Sequence, residues 1–76
     1  MKRPFKPLAK GSYILRCREK SLFAAVANGH SSIWPEARAD SDGTKVRFVR
    51  DGKQIYLCNA FYAAANFDIA EVVYSH

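Results

Sequence analysis

Apolar and polar residues alternate along several short stretches of the chain, and the period of that alternation changes from place to place. Over Ser12–Arg18 the period is two. Tyr13, Leu15 and Cys17 fall on one face and Ile14, Arg16 and Arg18 on the other, which predicts a strand. Ahead of it, Pro4 and Pro7 turn the residues before them away from helix, and Gly11 closes the stretch. Residues 1–11 are therefore expected to form an extended basic arm, and residues 12–76 a single domain.

From Ser21 the period lengthens. A serine hydroxyl can accept from the free amides of a first helical turn, and Gly29 stands where a left-handed residue would end the helix. The spacing predicts a helix over Leu22–Asn28, with Leu22, Phe23 and Val26 on one stripe expected to lie against a sheet. A connection through His30, Trp34 and Pro35 follows.

The strongest local signals are two Asp-Gly pairs, Asp42-Gly43 and Asp51-Gly52, on either side of a run rich in Val and Phe. Asp-Gly favours two-residue type I′ hairpin turns. If both pairs form such turns, Phe48 stands opposite Ile55 and Val46 opposite Leu57, while Ala39 pairs with Val46 and Ala37 with Phe48. All six then share one face. Arg38, Arg47 and Tyr56 share the other with Lys45. A second capped, Ala-rich helix is expected over Ala60–Asn66 behind Asn59, and a last strand over Ile69–Tyr74. The element order is β-α-β-β-β-α-β. The fold class is α+β: a small, mostly antiparallel sheet with two short helices on one face.

Length and composition fit that picture. Seventy-six residues, 49% of them hydrophobic, suffice for one core and not for two. No apolar run is long enough to span a bilayer, and the basic N-terminus lacks the apolar stretch of a secretory signal. Cys17 and Cys58 match no metal or redox spacing, so a reducing, cytoplasmic setting is expected, with both as small apolar residues.

Charge adds the most. Residues 1–20 hold seven basic residues against the single acid Glu19, whereas residues 21–76 hold five basic and six acidic residues. The net charge of +5 thus belongs to the first quarter of the chain, and it points to an anionic partner. A solvated tail that aids solubility is the competing reading.

Candidate chemistry is sparse. His30 and His76 are the histidines, the acids form no paired-carboxylate pattern, no ligand cluster suggests a metal, and the four glycines make no phosphate-cradling loop. A non-enzymatic protein without cofactor is expected. Its class would be a binding protein that inhibits or adapts a protein or nucleoprotein complex. Small accessory proteins of phages and mobile elements, among them inhibitors of host nucleases or CRISPR complexes, share its size and its lack of motifs.

Partner contacts are expected from Lys2, Arg3, Lys6, Lys10, Arg16 and Arg18 in the basic quarter, from Arg38, Lys45, Arg47 and Tyr56 on the outer hairpin face, and from Arg50 and Lys53 beside the hairpin tip. Trp34 is a candidate interface anchor, and the alternative for it is closure of one end of the core. Direct nucleic-acid binding is the second functional reading, with the arm on phosphates and Tyr56 as a stacking ring. No membrane partner is expected. Strand 69–74 or strand 12–18, if at a sheet edge, could pair across a homodimer.

Overall fold

The computed structural model describes residues 6–75. Seven elements follow in order: β1 (Gly11–Cys17), α1 (Leu22–Ala27), β2 (Glu36–Ser41), β3 (Lys45–Arg50), β4 (Lys53–Asn59), α2 (Ala60–Asn66) and β5 (Phe67–Ser75). The strands form one five-stranded sheet in the order β4-β3-β2-β1-β5, with every neighbouring pair antiparallel. The element order and the α+β class are those the sequence predicts. No helix among the described residues is long and apolar enough to cross a membrane. Strand 12–18 is not an edge: β1 lies between β2 and β5, so only the β5 end of the expected dimer contact remains geometrically open.

Alternation sets the core. Tyr13, Leu15 and Cys17 of β1 are buried, as are Ala37 and Ala39 of β2 and Val46 and Phe48 of β3. Large and small side chains alternate across the sheet, since Ala39 stands between Tyr13 and Phe48. Asn59 caps α2 by accepting from the Tyr62 amide at 2.7 Å, and α2 covers this face through Ala60 and Ala63. Full burial of side chains such as Phe48, Leu15, Ile33 and Val46 contributes about 1.5–3 kcal/mol each.

The first helix departs from expectation. Ser21 caps it and Gly29 ends it with a φ of 78°, yet Leu22, Phe23 and Val26 are 50%, 88% and 57% exposed. Ala25 alone of its residues is buried. The loop behind it supplies the core here instead, through His30 and Ile33. Turning back on α1, the loop ties the His30 amide to the Ala25 carbonyl at 2.7 Å.

The hairpin registers also shift. Asp51 and Gly52 have φ values of 54° and 77°, the pair of positive angles that a type I′ turn needs, and Arg50 pairs with Lys53. Past Gln54, however, β4 bulges: Val49 pairs with Gln54 but Phe48 pairs with Tyr56, leaving Ile55 as the extra residue. Tyr56 and Cys58 therefore turn toward the core side and Leu57 turns outward, the reverse of strict alternation. The bulge lets two consecutive side chains, Ile55 and Tyr56, pack against the core. In the other hairpin the turn is centred on Gly43 and Thr44. Asp42 follows the last residue of β2, and its carboxylate accepts from the Thr44 and Lys45 amides at 2.8 and 2.7 Å. Ala39 thus meets Phe48 and Ser41 meets Val46, two residues from the expected register but on the same face.

The N-terminal segment is part of this body from Leu8 onward. Leu8 is buried, its amide donates to the Ala60 carbonyl at 2.9 Å, and its carbonyl accepts from the Ser41 hydroxyl at 3.0 Å. The Tyr13 hydroxyl donates to the Ala9 carbonyl at 2.6 Å, and Gly11 already belongs to β1. Lys2, Arg3 and Phe5 lie outside the described residues.

Candidate binding face

Antiparallel pairing puts directly opposed residues on one side of a sheet, so the register defines the face that α2 does not cover. One row crosses all five strands: Leu57, Arg47, Asp40, Ser12 and Tyr74. The next holds Val49, Arg38, Ile14 and Glu71. The face is amphipathic and of mixed charge.

Most of its arginines are engaged. Arg16 meets Glu36 at 3.1 Å, and Arg18 meets Asp68 at 3.0 Å and the Ala65 carbonyl at 2.7 Å. Arg38 meets Asp40 at 3.5 Å, and the same carboxylate oxygen accepts from the Ser12 hydroxyl at 2.6 Å. Asp40 makes no ion pair with Arg47, its cross-strand neighbour. Arg47, Lys45 and Lys10 enter no ion pair among the described residues. These three line an open recess of about 350 Å³ together with Asp40, Ser41, Asp42 and Leu57. The structure thus brings Lys10, from the N-terminal segment, to the outer hairpin residues Lys45 and Arg47. The two basic regions seen in the sequence meet here.

Other candidates stand elsewhere. Arg50 is a structural clamp, since its guanidinium donates to the carbonyls of Ser32, Ile33 and Glu36 at 2.6, 3.1 and 2.8 Å. Three carbonyls in reach of one planar fork hold the loop that carries Ile33 to the end of the sheet. Tyr56 is not on the outer face. It packs edge-on against Phe48 and His30, with ring centroids 5.5 and 5.9 Å away, and the stacking role expected of it has no geometric basis. Trp34 is half-buried against the core and its indole N–H points to the Glu19 carbonyl at 3.4 Å, which matches closure of the core end. Lys6 and Lys53 are exposed and enter no ion pair among the described residues.

A second constellation lies inside. His30 is 2% exposed, with Nδ1 3.0 Å from the Glu19 carboxylate and Nε2 2.7 Å from the Tyr62 hydroxyl. Burial pushes the Glu19 carboxyl up, but hydrogen bonds from Asn28, its own backbone and His30 outweigh this and hold it below the ordinary range. The Cys17 thiol is pushed up to about 11, first by burial and then by the neighbouring Glu19 carboxylate, and burial alone raises Cys58 to about 11. Both are free thiols and stay protonated at neutral pH, unlike an activated nucleophile. Burial and the adjacent Tyr62 hydroxyl raise the Tyr56 phenol. Glu19 and Tyr62 lie 11 and 32 residues from His30, and no local pattern in the sequence links them to it.

Comparison with family models, with curated proteins and with solved structures finds no match.

Proposed function

We propose that the protein is a non-enzymatic binding protein that docks an anionic macromolecular partner on the open sheet face, acting as an inhibitor or adaptor of a protein or nucleoprotein complex. One observation carries this reading: Lys10, Lys45 and Arg47 converge on one recess and enter no ion pair among the described residues, while Arg16, Arg18, Arg38 and Arg50 are held by groups within the chain. A long cationic side chain without a counter-ion gains most when an external anion supplies one. The half-exposed Leu57 beside them adds apolar area to the contact.

The test is capture of partners from lysate by the wild-type chain and by a Lys45→Glu/Arg47→Glu variant, both first shown to be folded by circular dichroism. Loss of the captured species in the variant supports the reading. Identical capture by both sinks it. Association measured at two salt concentrations should slow at the higher one, because the encounter is steered by charge.

A further inference from the structure

The recess also carries information about what kind of anion it accepts. It is not uniformly positive: Asp40 and Asp42 line it beside the three cations. Each of these acids is fixed in place. The Asp40 carboxylate is held by Ser12 and Arg38, and that of Asp42 by the Thr44 and Lys45 amides. The backbone bonds from Lys45 and Thr44 hold the Asp42 carboxyl below its ordinary range, so it stays ionised at neutral pH. A duplex presents about one negative charge per 1.7 Å of its axis and would set phosphates against these carboxylates as well as against the cations. A single carboxylate brings one charge to the cations and no row of further charges against the acids. The apolar component is equally selective. Leu57 is 49% exposed at the rim of the recess, and a hydrocarbon neighbour on the ligand would cover it. The phosphate-lined outside of a duplex offers little hydrocarbon for such a contact, whereas an acidic side chain next to a leucine or valine in a polypeptide offers a full aliphatic group.

We infer that the recess is a docking site for a protein segment in which an acidic side chain adjoins an apolar one, the carboxylate bound between Lys45 and Arg47 and the apolar group on Leu57. This rests on the anionic-partner reading above and narrows it to a protein partner.

The experiment is amide chemical-shift titration of the full chain with four probes. They are a capped six-residue peptide alternating leucine with glutamate, the same peptide with glutamine for glutamate, the same with serine for leucine, and a 20-base-pair duplex of mixed sequence. The leucine–glutamate peptide is expected to shift the amides of Lys45, Arg47 and Leu57, with each control peptide on the order of tenfold weaker. Arg47→Glu should weaken the first peptide by a similar factor while the rest of the spectrum stays in place. If the duplex shifts these amides more strongly than the peptide, the inference about the partner class is overturned and the anionic reading stands. If no probe shifts them, both fall.

Discussion

Phe48 and Tyr56 face each other directly across β3 and β4, their rings edge to face with centroids 5.5 Å apart. The contact exists because Ile55 is the extra residue of a bulge. Removing Ile55 would leave a continuous two-residue hairpin in which Tyr56 still meets Phe48. Deletion of Ile55 is therefore expected to cost about 1–2 kcal/mol, the loss of a partly buried aliphatic side chain, without changing which face Tyr56 occupies. Nuclear Overhauser contacts between the two rings check this. Their absence from a folded deletion variant would show that the bulge is needed to aim Tyr56.

At Gly52 the φ of 77° is one that β-branched residues resist, although an added Cβ would meet nothing within 4 Å. Gly52→Val is expected to destabilise the domain by about 1–2 kcal/mol through backbone strain alone. Urea midpoints for the two proteins give the answer directly.

Leu8 plugs the core from outside the sheet. Leu8→Ala is expected to cost about 2–4 kcal/mol, in line with other buried leucine truncations. A shift in the melting midpoint of under a degree would mean that the segment's two backbone contacts, and not its side chain, hold it.

The inner cluster predicts a pH dependence. The Glu19 carboxyl titrates lower in the folded chain than its ordinary value of 4.5. The unfolded chain therefore takes up that proton first. The stabilisation is complete above the unfolded value and is lost as pH falls through the lowered folded one. Glu19→Gln should flatten the acid side of a plot of urea midpoint against pH, from the ordinary value of 4.5 downward. Tyr62→Phe, which leaves His30 Nε2 without its partner, should cost about 1–2 kcal/mol at neutral pH.

Much of this fold was legible in the chain. Ser21 and Asn59 announce their helices because capping is a local interaction, and Tyr13, Leu15 and Cys17 announce the buried face of β1 because period two is local as well. Legibility ended where a local rule was overruled by packing. Strict alternation put Leu57 inside and Tyr56 outside. The bulge reversed both, since an aromatic ring among Phe48, His30 and Phe67 covers more apolar surface than a leucine there could. The stripe on α1 is apolar, but the core beside it is filled by His30 and Ile33 from the loop behind it. For the candidate binding face, the basic residues were legible one by one. Which of them are neutralised depends on cross-strand neighbours, and these follow only from the register.

The position of β1 has a kinetic consequence. Gly11 pairs with Ser75 and Cys17 with Phe67, so this interior strand, second from the β5 edge, is completed by the most remote strand pairings among the described residues. The β2–β3–β4 meander, by contrast, closes through two short turns. Bringing distant segments together costs loop-closure entropy before any contact repays it. The meander is thus the natural nucleus, and the docking of β5 onto β1 belongs to the downhill side of the barrier. Substitutions along β5 should then speed unfolding and leave the refolding rate nearly untouched, whereas substitutions at the Asp51-Gly52 turn should slow refolding.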